Sequence, residues 1–137
     1  MIDIENDVFS YIASALRGEY PGIYVVGEYI AGPSSFPAVT VVEANNVVRR
    51  SMRADRIENA ADVTYDVNVY SNKASGKKTE AKQIADFIDG LMEAKGFTRT
   101  LRQQVPNFMD ASIFRMTIRY EATVGREKDG SYLIYQR

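Results

Sequence analysis

Residues 61–70 read ADVTYDVNVY, and the alternation in this stretch decides the fold. It has an apolar set and a polar set, made of Val63, Tyr65, Val67 and Val69 and of Thr64, Asp66 and Asn68. Because side chains alternate between the two faces of a strand, the apolar set must lie on a core while the polar set points away from it. The sequence therefore predicts a half-buried strand here.

Two segments with a helical period lie on either side of this strand. The first covers about residues 3–17 and the second about residues 77–95. Their apolar stripes consist of Ile4, Val8, Ile12 and Leu16 and of Ala81, Ile84, Ile88 and Leu91. Spacings of three and four residues place each stripe on one helix face. Both segments are therefore predicted to be amphipathic helices packed on the core.

Further strands are predicted from β-branched and aromatic runs. They cover residues 22–30, 38–44, 97–105 and 113–124. After Gly125 a tail of residues 125–137 contains the run SYLIY, which favours β structure. We expect this run to be either a last edge strand or a segment that pairs with another chain.

The resulting order is α-β-β-β-α-β-β with a possible short C-terminal strand. This order predicts an α+β fold: one domain of residues 1–124, with a mainly antiparallel mixed sheet covered on one face by two helices. The other sheet face is expected to be hydrophilic and suited to solvent or to a wet interface. Its predicted side chains are Asp66, Asn68, Arg102, Gln104, Arg115, Arg119 and Glu121.

Composition limits the chemistry of the chain. Its 137 residues are 45% hydrophobic and 26% charged, which is typical of one globular domain with a single core. Cysteine and histidine are both absent, which excludes disulfides, thiolate sites and imidazole catalysis and suits a reducing compartment. The formal net charge of -1 gives no general attraction for nucleic acid, and no apolar run approaches a membrane span.

The motifs of common enzymes are also missing. Gly76-Lys77-Lys78-Thr79 resembles the end of a phosphate-binding loop, but the upstream glycine of that motif is absent. The carboxylates of the second helix fall on its solvated side, and without histidine only a lysine could serve as the base for a serine nucleophile. We therefore expect a protein without catalytic residues, cofactor or metal.

Two predicted loops carry residues that are candidates for contact with a partner. The connection AGPSSFP carries Phe36 as its one apolar anchor, which either packs down or meets a partner. Residues 45–60 show no sustained period and carry Arg49, Arg50, Arg53 and Arg56. This second segment is either a solvated loop or an arm that reaches an adjacent subunit or a negatively charged lumen.

Nine tyrosines raise the question of an interface, because tyrosine is enriched both in strands and at protein contacts. Tyr65 and Tyr120 occupy predicted core positions. Four others are expected at edges, where interface and plain surface are both open: Tyr24, Tyr29, Tyr132 and Tyr135.

The pattern of the whole chain resembles one protein family. The runs that carry the resemblance are IDIENDVFSYI, GEYIAGPSSFPAVTVVEANN, DVTYDVNVYSNKASGKKTEAKQIADFIDGLM and GFTRT followed by NFMDASIFRMTIRYEATV. Together these runs, which end at Val124, are similar to the tail terminator, or tail-completion, proteins of long-tailed bacteriophages and phage-tail-like particles. The resemblance covers about nine tenths of the chain and includes no chemical motif.

The resemblance implies a non-enzymatic virion protein. It would form a hexameric ring at the head-proximal end of the tail tube, assembled in the host cytoplasm, and would stop tube polymerisation. Its partners would be further copies of itself, the tail tube protein and the head-tail connector protein, with DNA passing through the lumen without sequence-specific binding and with no membrane. Candidate interface or lumen residues are Phe36, Arg49, Arg50, Arg53, Arg56, Arg115, Arg119, Tyr132 and Tyr135.

Other functions stay open at this point. Another head-tail connector or a tail tube subunit would share the small α+β build, but a tube subunit should grow into filaments. A stand-alone domain that binds a small molecule or peptide should be monomeric and have an apolar pocket. An enzyme would need a cluster of titratable groups with perturbed pKa values.

Overall fold

The computed structural model describes residues 1–30, 32–49, 60–106 and 110–135. Two helices and six strands follow one another along these described residues. Their bounds are α1 Glu5–Glu19, β1 Tyr24–Val26, β2 Ala38–Val48, β3 Ala60–Ser71, α2 Lys77–Ala94, β4 Thr98–Val105, β5 Phe114–Arg126 and β6 Tyr132–Tyr135. This order confirms the predicted α+β fold, including its short C-terminal strand.

All six strands belong to one mixed sheet. The order is β1-β2-β3-β5-β4, with β6 also paired to β5. Only the short β1 runs parallel to its neighbour, and the four other pairings are antiparallel. The predicted strand over residues 22–30 shortens to three residues because the chain turns away to form the β1–β2 connection.

The core lies between one sheet face and the two helices. Val63, Tyr65, Val67 and Val69 are fully buried there, as the alternation predicts. Both helices turn their apolar stripes to this face; the buried residues are Val8, Ile12, Ala13 and Leu16 on α1 and Ala81, Ile84, Ala85, Ile88 and Met92 on α2. Burying one large aliphatic side chain contributes about 1.5–3 kcal/mol, so these stripes hold the helices to the sheet.

Two core tyrosines are satisfied at their polar ends. The Tyr65 hydroxyl donates to Glu43 Oε1 over 3.2 Å, and the Tyr120 hydroxyl donates to Asp89 Oδ1 over 3.0 Å. Burial, followed by the neighbouring carboxylate, raises the pKa of each phenol above its ordinary value. Both tyrosines therefore stay neutral and act as core residues, as predicted.

A bulge in β4 corrects one expectation about the second sheet face. The register between β4 and β5 shifts between Arg99 and Leu101, so Arg102 lies opposite Ile118 and Gln104 opposite Met116. Both side chains therefore share the helix-covered face. Arg102 Nη1 is 2.7 Å from Asp86 Oδ1 of α2, which agrees with this placement. The extra residue of a bulge exchanges the faces beyond it, and strict alternation cannot predict that exchange.

Strands β4 and β6 share one edge of the long β5. Strand β4 pairs with β5 up to Glu121, and β6 pairs with β5 from Thr123 to Arg126. On the other side, β3 pairs with β5 from Phe114 to Gly125. The sheet therefore has an end, which we call the distal end, where only β2, β3, β5 and β6 lie side by side. No helix among the described residues is long and apolar enough to cross a membrane.

Candidate interaction surface

The sheet face turned away from the helices, here called the second face, has two unlike halves. Its covered half lies towards β1 and consists of Thr40, Asp66, Asn68, Tyr70, Arg115, Thr117 and Arg119. Its open half lies at the distal end and includes Val47, Asp62, Thr123, Leu133 and Tyr135. Strand register alone places these side chains on the same face, because each pair lies directly opposite across neighbouring strands.

An ion pair with a tyrosine on top anchors the covered half. Arg119 Nε donates to Asp66 Oδ1 over 2.8 Å, and the Tyr29 hydroxyl donates to Asp66 Oδ2 over 3.3 Å. Asp66 is only 8% exposed, whereas the Arg119 side chain stays partly in solvent. The hydrogen bond to Asp66 and its negative charge raise the pKa of the Arg119 guanidinium. Burial and the same carboxylate raise the pKa of the Tyr29 phenol.

A second polar cluster adjoins the first. Asn68 Oδ1 accepts from the Thr117 hydroxyl over 2.6 Å and from Arg115 Nε over 3.1 Å. The Arg115 guanidinium lies 5.7 Å from the ring centroid of Tyr70, within the range of a cation–π contact. The Tyr70 hydroxyl donates to the backbone carbonyl of Ile30 over 2.9 Å. Tyr29 and Ile30 of the β1–β2 connection thus hold that connection against the covered half.

Two atoms of this half lack a hydrogen-bond partner within the described part of the chain. They are Thr40 Oγ1 and Asn68 Nδ2. The two residues lie directly opposite each other on β2 and β3, and both are almost fully buried. A buried polar atom without a partner costs about 1–3 kcal/mol, so these two atoms lower the free energy of unfolding and form a weak spot of the covered half.

The covered half differs from the expected hydrophilic surface. Asp66 and Asn68 do lie on the second face, but Asn68 is 1% exposed and neither side chain is free to contact solvent broadly. The physical reason is the β1–β2 connection, whose Tyr29 reaches Asp66 and whose Ile30 meets Tyr70. Alternation predicts which face a residue occupies, but it does not predict what covers that face.

The distal end has the opposite character. Five large apolar side chains are between 37% and 50% exposed there, and we call them the distal apolar set: Val47, Val48, Tyr132, Leu133 and Tyr135. The first two belong to β2 and the other three to β6, on either side of β3 and β5. Isolated exposed apolar residues are ordinary, but several of them on each of the two outer strands of one end are typical of contact edges.

Arg49 is held at this end by a polar row. Its Nε lies 2.9 Å from Asp62 Oδ2, and the Thr123 hydroxyl donates to Asp62 Oδ1 over 2.7 Å. Both charged side chains of the pair are more than two-fifths exposed, so solvent screens the pair and it adds little to stability. The row does fix the direction of Arg49 at the end of β2.

Gly125 explains how Tyr135 lies on the sheet. A Cβ atom at position 125 would meet the Tyr135 hydroxyl oxygen at 2.6 Å and two of its ring carbons at 2.8 Å. Any larger residue would therefore displace the ring, so the glycine allows an aromatic side chain to cover an otherwise bare strand position. This packing orients Tyr135 at the rim of the open half.

The structure places the candidate interface or lumen residues of the sequence analysis in separate regions. Arg115 and Arg119 lie together in the covered half, whereas Arg49, Tyr132 and Tyr135 lie at the distal end. Phe36 is partly buried beside the start of β2, and its peptide bond to Pro37 is cis. Arg50, Arg53 and Arg56 lie outside the described residues. Leu133 lies in the SYLIY run, which is predicted to be an edge strand or an inter-chain segment. No pattern in the sequence points to Val47 or Val48, because apolar residues in strands are usually buried.

Beside β6, on the helix side, a cavity of about 220 Å³ opens between α1 and α2. Its walls are mostly apolar and include Val8, Tyr11, Phe97, Tyr132 and Ile134. This volume is below the range of about 300–1,000 Å³ that is usual for small-molecule sites. A single apolar side chain is a better match to its size.

Among the acidic side chains, Glu43 has a raised pKa and lies between α1 and β2. Within the described ranges, no group of three or more acidic side chains is arranged to hold a metal ion. Burial raises the pKa of Glu43, while hydrogen bonds from Tyr65 and Asn46 partly oppose this effect. Its Oε1 accepts from Tyr65, and its backbone amide donates to Glu5 Oε2 over 2.9 Å. The arrangement joins α1 to β2, which is a structural role.

No protein-family model matches the sequence, and no curated protein matches it at a significant level.

Proposed function

We propose that this chain is a tail-terminator-like virion protein. Several copies, six by the resemblance of the sequence, assemble into a ring on the head-proximal end of a tail tube. The ring ends tube polymerisation and presents a surface to the head-tail connector, and DNA passes through its lumen without sequence-specific contacts. The protein works by assembly and catalyses no reaction.

The observation that carries this proposal is the distal apolar set. Large apolar side chains on two edge strands are unfavourable in a protein that stays alone in water, and they are typical of surfaces that become buried on association. Tyr132 and Tyr135 add aromatic area, which is enriched in protein contacts. The ion pair and hydrogen bonds of the covered half join side chains within one chain, and they hold together the strands that continue into this end.

The direct functional test uses the cognate tail tube subunit. Purified protein is added to polymerising tube subunits, and tube lengths are measured by electron microscopy. The proposal predicts shorter tubes with a ring at one end, whereas tubes grown without the protein continue to lengthen. Incorporation along the whole tube would indicate a tube subunit instead. Unchanged tubes with no bound protein would contradict the proposal.

A second candidate is a stand-alone binding domain, favoured by the cavity beside β6. Such a domain would be monomeric and would bind an apolar group between α1 and α2. The small volume of the cavity weighs against a complete ligand. The two candidates differ in mass, since only the ring requires a discrete oligomer.

A further inference from the structure

Four strands cross the distal end at the same level. Val47, Asp62, Thr123 and Tyr135 form one row across β2, β3, β5 and β6. Val48, Ala61, Val124 and Ile134 form the next row. The outermost strands of this end, β2 and β6, are therefore level with each other on opposite sides of the sheet.

Both outer edges lack a partner strand in the described part of the chain. Strand β1 pairs with β2 only through residues 38–40, and β6 pairs only with β5. At the β2 edge, the Asn46 amide donates to the Asn45 side chain over 3.0 Å, a local bond that a pairing strand would replace. The β6 edge has the sequence YLIY, with no charge and no proline. Edges of this kind are ready to pair with another strand.

The other free edges are less suited to pairing. Strand β4 carries Arg99 and Arg102 and is interrupted by a bulge, two features that oppose edge-to-edge pairing. Strand β1 has only three residues. Strands β4 and β6 lie along the same edge of β5, but only β4 carries charges and a bulge that oppose pairing with another strand.

We infer that β6 of one copy pairs antiparallel with residues 45–48 of β2 of the next copy. This inference rests on the proposed ring and specifies its subunit contact. Strand directions alternate from β2 through β3 and β5 to β6, so a following β2 is antiparallel to β6 without inverting the sheet. Because the two edges are level, successive copies are related by rotation with little rise. A head-to-tail contact of that kind closes into a ring when the rotation between copies divides a full turn, as the proposed six copies require.

Side-chain chemistry favours a second copy as the partner. On the second face, Val47 of the neighbour would meet Leu133 and Tyr135. On the helix side, Val48 of the neighbour would lie beside the cavity bounded by Tyr132 and Ile134, whose size suits one aliphatic side chain. Residues 45–48 (NNVV) and β6 (YLIY) carry no charge, and Val47, Val48 and the β6 side chains supply the apolar part of the contact. One chain therefore carries both edges of the same strand addition.

Paired cysteines test the contact, since the natural chain contains none. The parity of the strands restricts Val47 to Leu133 or Tyr135, so two double variants cover both registers: Val47→Cys with Tyr135→Cys, and Val47→Cys with Leu133→Cys. All three side chains are exposed in one copy, which favours normal folding. Mild oxidation of the assembled protein should produce a ladder of covalent multimers on a non-reducing gel from at least one pair.

The matched controls are the single variants and the pair Val47→Cys with Gln103→Cys, which places the second thiol on the exposed β4 edge. None of these should form a ladder. An oligomer that forms no ladder with either test pair, or covalent dimers from Leu133→Cys alone, would overturn the inference and leave the proposed ring intact. A chain that stays monomeric in solution would contradict the ring and this contact together.

Discussion

The two halves of the second sheet face reverse the usual relation between polarity and exposure. In the covered half, Asp66 and Asn68 are buried under Tyr29 and beside Tyr70. In the open half, Val47, Leu133 and Tyr135 face solvent. Burying polar groups has a cost that internal hydrogen bonds offset, and exposing apolar groups has a cost that association offsets. The difference teaches that the polar groups of one half are satisfied mainly within a single chain, whereas the apolar groups of the other half are left exposed and, as we propose, are covered by a further copy.

The largest expected effect comes from a charge in the open half. Leu133→Lys places an ammonium group in the proposed contact, where an unpaired charge costs about 3 kcal/mol or more, roughly a hundredfold in affinity. We expect the oligomer to dissociate while the unfolding free energy of the single chain stays within about 0.5 kcal/mol. Light scattering and urea unfolding measure the two quantities. Gln103→Lys on β4 is the control. Equal dissociation in that variant would contradict the proposal that β6, and not β4, forms the contact.

The reciprocal change belongs in the covered half. Asp66→Ala leaves Arg119 and Tyr29 without their acceptor, and we expect a loss of about 1–2 kcal/mol in unfolding free energy because part of the ion pair is in solvent. The oligomer mass should not change. Glu121→Ala removes a second-face carboxylate whose charge acts on Arg119 more weakly than that of Asp66, and it should cost no more than about 0.5 kcal/mol. A dissociated oligomer in Asp66→Ala would show that the two halves are not independent.

The sequence predicted which face each central side chain occupies better than it predicted what covers or exposes that side chain. Alternation in residues 61–70 and in β5 gave the faces of both central strands, and helical periods gave α1 and α2. It did not give the β4 bulge, the cover over Asp66 or the parallel pairing of β1, because each depends on contacts between distant segments. The exposure of Val47 was not predicted either, since a valine in a strand has the same pattern whether it contacts its own core or another chain.

A smaller effect is expected at the weak spot of the covered half. Thr40→Val removes a buried hydroxyl that has no partner among the described residues, so we expect the protein to gain about 1 kcal/mol. Thr117→Val is the matched control, because that hydroxyl does donate to Asn68 and its removal should lose about 1 kcal/mol. Urea unfolding of both variants measures the difference. Equal losses would mean that Thr40 is satisfied in solution.

The smallest effect concerns Glu43, which lies next to the bulge in β2. Its pKa is raised in the folded state, so its contribution to stability is present at low pH and is lost as the pH rises through the folded pKa. Glu43→Gln keeps an acceptor for Tyr65 and removes the charge. The variant should be more stable than the natural chain at pH 7, and the gap should close towards about pH 4.3. Urea unfolding across this pH range checks the slope, and a constant gap would contradict the assignment.

The central claim is that the open half is completed by further copies of the same chain, and the molar mass in solution tests it most directly. Light scattering of the natural protein across protein and salt concentration should give a discrete species near six times the 15.4 kDa chain mass. Salt should not dissociate this species, because neither strand segment of the contact carries a charged side chain. A monomer at every concentration, or growth without limit, would contradict the account.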